Sequence, residues 1–73
     1  MSPEKLARMA NQIAAAFGHR PDDEAAAAVA AHVNDFWDPR MRAELLELIA
    51  GGASGLHPAV RDAAAAIRPA AAD

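Results

Sequence analysis

The chain has 73 residues, a formal net charge of −3 and no cysteine. This length leaves room for one small domain, and the lack of cysteine excludes disulfides as a source of its stability. Lys and Arg are scattered rather than clustered on a basic face, and no apolar run approaches the length of about 18 residues that a membrane-spanning helix needs. With no signal-peptide pattern, we expect a cytoplasmic protein that binds neither nucleic acid nor a membrane.

The hydrophobic fraction of 53% indicates helices more than a large core. Alanine makes up more than half of that fraction, and alanine is the strongest helix former but buries little area. No stretch alternates with a period of two, so strands are not expected. The pattern predicts an all-α fold, a small compact bundle of three to four short helices in a single domain at residues 1–68, followed by a disordered tail at residues 69–73.

The first predicted helix begins at Ser2-Pro3-Glu4, which supplies an N-cap, a proline at the first helical position and an acid in the first turn. Gly18 ends this helix. Its apolar residues at helical spacing are Leu6, Met9, Ala10, Ile13 and Phe17.

The second predicted helix begins at Pro21-Asp22-Asp23-Glu24, where three acids complement the helix dipole, and it ends near Asp35 or Phe36. His32 is expected at the edge of its core stripe. The stripe itself consists of Ala25, Val29, Val33 and Phe36.

The third predicted helix begins at Asp38-Pro39. The Asp38 carboxylate is expected to accept a hydrogen bond from the backbone N–H of Arg40 or Met41, while Pro39 occupies a position whose N–H would be unpaired anyway. Gly51-Gly52 ends the helix, and its stripe is Met41, Leu45, Leu48 and Ile49. Leu46 lies off this stripe, so either the core wraps around it or a partner covers it.

The fourth predicted helix is short. His57-Pro58 opens it, with His57 as a candidate N-cap, and Pro69 closes the ordered part of the chain. Its apolar positions are Val60, Ala63, Ala64 and Ile67.

The segment from Phe36 to Arg42 concentrates the only Trp, one of the two Phe residues and two Arg residues. An aromatic pair beside guanidinium groups is typical of a recognition surface. We expect Phe36 to fill the core, whereas Trp37, at the edge of the stripe, either fills the core as well or is partly exposed as an interface anchor. Residues expected to build the junction between the second and third helices are Phe36, Asp38, Pro39 and Met41.

The two arginines of this segment admit two interpretations. Trp37 precedes the predicted cap by one residue and is expected to face Arg42, with its ring over the guanidinium stem. Arg40 is either a solvated charge that pairs with Glu44 or, like Arg42, a contact to a partner.

Asn11 and Gln12 interrupt the first helix on the face away from Leu6 and Ile13. A mid-helix Asn lowers helix propensity, and no local cap justifies it here. These two side chains therefore lie either on a neutral solvated face or in a contact with a partner.

No pattern in the chain indicates catalysis or metal binding. His19, His32 and His57 lack a second ligand at helical spacing, and residues 22–24 have the pattern of a solvated helix start. The glycine-rich stretch at residues 51–55 lacks the strand and the Lys-Ser/Thr end of a phosphate-binding loop. We expect no catalytic residue, no cofactor and no small-molecule substrate.

Two motifs carry a resemblance that covers residues 6–67. The segment Arg8-Met9-Ala10-Asn11-Gln12-Ile13 and the segment Phe36-Trp37-Asp38-Pro39-Arg40-Met41-Arg42, with Phe17 and an alanine-rich helix carrying His32 between them, resemble the delta subunit of NAD-dependent, molybdenum- or tungsten-containing formate dehydrogenase. The resemblance implies a non-catalytic accessory subunit of a cytoplasmic bacterial complex. Its larger subunits would carry the molybdopterin guanine dinucleotide, the iron–sulfur clusters, the flavin and the NAD site, whereas this chain would bind no cofactor.

The sequence therefore predicts a helical protein that acts by docking onto larger formate dehydrogenase subunits, in particular the molybdopterin-carrying catalytic subunit, in assembly, maturation or stabilisation of the complex. The alternatives are a small helix-turn-helix regulator that binds DNA and a self-associating helical module. The residues expected at the partner interface are Asn11, Gln12, Trp37, Arg40, Arg42 and Leu46.

Overall fold

The computed structural model describes residues 2–68. They form α1 (Pro3–Ala16), α2 (Asp22–Phe36), α3 (Pro39–Ala50) and α4 (Pro58–Ala63), and a short 3₁₀ turn at Ala64–Ala66 continues α4. The predicted all-α bundle is confirmed. The tail predicted at residues 69–73 and the stop predicted at Pro69 lie outside the described residues. None of the helices within residues 2–68 has the length and apolar character needed to cross a membrane.

Three of the helices begin with the predicted combination of a capping side chain and a proline. In each, the cap accepts a hydrogen bond from a backbone N–H of the first turn, which would otherwise have no partner. Asp38 therefore caps α3 and His57 caps α4, as predicted. The bonds are Ser2 Oγ from Lys5 N at 3.2 Å, Asp38 Oδ1 from Met41 N at 2.8 Å and His57 Nδ1 from Ala59 N at 3.0 Å.

Helix α2 begins differently. Pro21 itself occupies the N-cap position and no side chain caps the helix, while the three acids fill the first turn as predicted. The helix ends at Phe36, within the predicted range. Opposite charge at the positive end of the helix dipole replaces the missing cap.

The core is built around α2 and α4, which pack against each other along most of the length of α4. Val29 and Val33 of α2 and Val60 of α4 are fully buried. Helix α1 packs against all three other helices. Large side chains are few, so alanines fill much of the space between the helices, and the fully buried row of α1 is Leu6, Ala10 and Ala14.

The inward row of α1 is narrower than predicted. The predicted residues Met9, Ile13 and Phe17 are half-buried and pack against the edge of the core rather than inside it. Small side chains at Ala10 and Ala14 allow close approach of the neighbouring helices, so their row faces inward and the larger row is displaced to the side.

Helix α3 lies at the side of the bundle, against α1. Leu45 is its fully buried residue. Leu46, whose position the sequence left open, is half-buried and packs against the core. The other residues of the predicted stripe are also half-buried: Met41, Leu48 and Ile49.

At the α2–α3 junction, the prediction that Phe36 fills the core is wrong, and of the two alternatives for Trp37 the partly exposed one is wrong. Trp37 is 6% exposed and belongs to the core, whereas Phe36 is 75% exposed. The buried face of α2 includes Ala26, Ala30 and Val33, and Trp37 follows Ala30 by seven residues, so it continues this face at helical spacing. Its N–H still bonds to the Val33 carbonyl oxygen, and only the backbone after it is extended. Phe36, as the last helical residue, points outward.

Replacing Asp38 by Ala should lower the free energy of unfolding by about 1 kcal/mol, because the first turn of α3 loses its capping acceptor. Asp38→Ser should retain most of the stability. Asp35→Ala, an exposed carboxylate in the last turn of α2, is the matched control and should change the free energy of unfolding by no more than about 0.5 kcal/mol. Urea titration followed by circular dichroism measures all three, and equal losses for Asp38→Ala and Asp35→Ala would contradict the capping role.

The two aromatic residues should differ sharply in their effect on stability. Trp37→Ala removes a buried ring and should cost on the order of 3 kcal/mol or more, whereas Phe36→Ala should cost less than about 0.5 kcal/mol. Trp37→Phe, which keeps an aromatic ring in the core, gives a measurable transition if Trp37→Ala does not fold. Thermal and urea unfolding provide the measurement, and a larger loss for Phe36→Ala than for Trp37→Phe would contradict the assignment of the core.

Candidate partner-binding surface

Asn11 holds the loop before α4 in place. Its side-chain Nδ2 donates to the Gly55 carbonyl oxygen at 2.8 Å, and its Oδ1 accepts from the His57 backbone N–H at 2.9 Å. The two bonds bracket Leu56, which is 6% exposed in the core. The mid-helix Asn is therefore compensated inside the chain, and neither the solvated face nor the partner contact is needed to explain it.

Asn34 in α2 makes the same arrangement with the end of the described chain. Its Nδ2 donates to the Ala66 carbonyl oxygen at 3.0 Å, and its Oδ1 accepts from the Arg68 backbone N–H at 2.9 Å. These bonds bracket Ile67, which is 3% exposed. We refer to the Asn11 and Asn34 arrangements as the two amide clamps. Asn34 is not among the residues predicted from the sequence, although an Asn inside an alanine-rich helix is a signal that could have identified it.

Arg42 joins α3 to the rest of the bundle. Its Nη1 donates to the Trp37 carbonyl oxygen at 2.8 Å and its Nε donates to the Arg68 carbonyl oxygen at 3.0 Å. The predicted contact of the Trp37 ring with the guanidinium stem is thus replaced by a hydrogen bond to the Trp37 backbone. Arg42 and Asn34 together hold Arg68 at both its carbonyl and its N–H.

The predicted interface residues therefore fall into different environments. Gln12 and Arg40 have exposed side chains, whereas Trp37 is buried. The polar groups of Asn11 and Arg42 are engaged in bonds within the chain.

An apolar groove lies between α1 and the end of α2. Its volume is about 380 Å³. Aromatic and aliphatic side chains form most of its walls, and Gln12 and His32 are the polar side chains among them. We define the α1–α2 groove by its lining residues: Met9, Gln12, Ile13, Ala16, Phe17, His32 and Trp37.

Phe36 stands beside this groove. Its ring contacts that of His32, with the two centroids 4.8 Å apart and the planes tilted by 40°. Within the described part of the chain, Phe36 is the only large hydrophobic side chain that is exposed. The groove and Phe36 therefore form one apolar surface, which was not predicted from the sequence because Phe36 was expected in the core.

A positive charge borders the same surface. The guanidinium carbon of Arg20 lies 5.2 Å from the centroid of the Phe17 ring, a distance at which a cation is attracted to the ring face. Arg20 itself is exposed. An apolar groove with aromatic walls and a guanidinium at its rim is suited to recognition of another molecule by contact and charge.

Comparison with protein families gave one match. The model of the NADH-dependent formate dehydrogenase delta subunit family, FdsD, matches residues 5–64. This range contains α1 from Lys5 onward, all of α2, α3 and α4, the first amide clamp and the α1–α2 groove. Comparisons with curated proteins and with solved structures gave no match.

Loss of either amide clamp should destabilise the fold. Asn11→Ala and Asn34→Ala each remove two hydrogen bonds and should lower the free energy of unfolding by about 1–2 kcal/mol, after the gain in helix propensity from alanine is included. Asn→Asp at either position should not restore stability, because a carboxylate cannot donate to the carbonyl oxygen. Gln12→Ala, an exposed neighbour in α1, is the control for Asn11→Ala. Urea unfolding measures the differences, and full stability of the Asp variants would show that the donated bonds are unimportant.

Proposed function

The chain belongs to the NADH-dependent formate dehydrogenase delta subunit family, and from this premise we propose that it is a non-catalytic accessory subunit that acts by docking. As a delta subunit of formate dehydrogenase it has the other subunits of that enzyme as partners. We propose the molybdopterin-carrying catalytic subunit as the one that it contacts, within a complex of the bacterial cytoplasm. Docking would serve assembly, maturation or stabilisation of the complex.

The exposure of Phe36 is the observation that supports docking most directly. A phenylalanine that is 75% exposed contributes little to the stability of the isolated chain. Its full burial against a partner would contribute about 2 kcal/mol to association. Exposed apolar surface that continues into a groove is typical of a protein interaction site.

The proposed interface keeps the residues predicted from the sequence but gives them different tasks. Gln12 and Arg40 are proposed as polar contacts, since both side chains are exposed. Trp37 would act through its position in the groove wall. Asn11 and Arg42 would act indirectly, because their bonds hold the neighbouring backbone in place. The half-buried Leu46 of α3 stays a proposed contact outside the groove.

Producing the formate dehydrogenase complex with and without this chain tests the proposed function. We expect the tagged chain to co-purify with the larger subunits and the yield of complex loaded with molybdenum or tungsten to fall several-fold in its absence. Formate oxidation per loaded metal should stay unchanged, because a docking subunit supplies no reacting group. Trp37→Ala, which is expected to unfold the chain, provides the matched negative control in the same host.

Two results would contradict this proposal. If the intact chain did not co-purify with the larger subunits under any salt condition, docking would be excluded. If the turnover per loaded metal fell when the chain was removed from otherwise complete enzyme, and recovered on its return, the chain would take part in catalysis rather than in assembly.

A further inference from the structure

The α1–α2 groove and Arg20 at its rim indicate which kind of side chains the partner presents. This inference rests on the proposed function. We propose that the α1–α2 groove receives an amphipathic helix of another formate dehydrogenase subunit, whose apolar side chains enter the groove and whose carboxylate binds Arg20.

The extent of the apolar surface favours a protein segment over a small molecule. A volume of about 380 Å³ alone would suit a small ligand. Small-molecule sites, however, enclose the ligand, and here the exposed Phe36 extends the apolar surface beyond the groove. A ligand that covers the groove and the Phe36 ring together must be wide enough to reach across both. An α-helix, which is about 10 Å wide with its side chains, meets this requirement.

The lining of the groove specifies one apolar face on that helix. Apart from Gln12 and His32, the side chains that line the groove are aliphatic or aromatic. No Asp, Glu, Lys or Arg lines it. A charged residue buried there would lose its hydration without gaining a partner. Residues spaced by three and four positions on an amphipathic helix present such an apolar face, with polar residues on the other side.

Arg20 specifies the charge at the border of that face. Its guanidinium carbon lies 5.2 Å from the centroid of the Phe17 ring, and the exposed side chain presents a planar fork of N–H donors that suits a carboxylate. A carboxylate is the planar acceptor that matches this fork. The complementary partner helix therefore carries Asp or Glu next to its apolar face, where it meets Arg20.

Binding of the full-length chain to purified formate dehydrogenase prepared without it tests the assignment. Phe36→Ser and Arg20→Glu should each raise the dissociation constant at least about tenfold, since each removes a contact of the proposed interface. Arg8→Glu reverses an exposed arginine of α1 that does not line the groove, so it is the matched control and should bind within about twofold of the unchanged chain. Arg20→Lys keeps the charge but not the fork and should fall between the two.

The partner segment is identified by placing a photoreactive phenylalanine analogue at position 36 of the chain. The expected cross-link joins it to a helix of another subunit with an apolar face and an acidic residue beside it. Changing that acidic residue to Lys should restore binding of Arg20→Glu by about tenfold or more, because the charges are then exchanged.

The outcomes separate this inference from the proposed function. If the unchanged chain binds the enzyme but Phe36→Ser and Arg20→Glu bind equally well, the groove assignment is wrong and docking stands. A cross-link to a second copy of this chain, or to a segment without an acidic residue near the apolar face, would also overturn the assignment. If the unchanged chain itself does not bind, the proposed function fails first.

Discussion

The two amide clamps are the interactions on which the rest of the bundle depends. Asn11 reaches backbone groups 44 and 46 residues away in the chain, and Asn34 reaches groups 32 and 34 residues away. Each clamp binds a carbonyl and the N–H two residues later, so it fixes the residue between them, Leu56 or Ile67, with its side chain in the core. Helix α4 has six residues and is too short to be stable alone. The Asn11 clamp ties the start of α4 to α1, and the Asn34 clamp ties the segment after α4 to α2, where α4 completes the core.

Hydrogen bonds of the same kind hold the backbone next to the proposed binding surface in place. Asn34 and Arg42 hold Arg68 from two sides, and Arg42 also binds the carbonyl of Trp37. The α2–α3 junction is therefore connected through Arg42 to Arg68, at the end of the described chain. Phe36 stands on this fixed junction, which lowers the conformational entropy that an interface would lose on binding. Hydrogen bonds within the fold thus position the backbone that carries the exposed Phe36 ring.

Local signals in the sequence were sufficient for the secondary structure. Ser2, Asp38 and His57 were identified as candidate caps because a capping side chain followed by proline acts within one turn of the chain. The family was also accessible from the sequence, since its motifs are runs of adjacent residues within the matched range 5–64. The candidate partner-binding surface was harder to predict from the sequence. Gln12 and Arg40 lie on the surface, but the exchange of Phe36 and Trp37 and the whole groove escaped prediction.

By itself, the sequence determined the helices, their starts, the ends of α1, α2 and α3, and the family, because each depends on neighbouring residues. Only the tertiary structure decided which aromatic residue is buried, because it shows that the buried face of α2 runs through Ala26 and Ala30 to Trp37, which the pattern of an alanine-rich helix does not specify. It also decided the role of Asn11 and Asn34, whose partners are distant in the chain and invisible to any local rule. The surface that Phe36 shares with the α1–α2 groove exists for the same reason: it depends on how helices pack, which the spacing of residues along one helix does not specify.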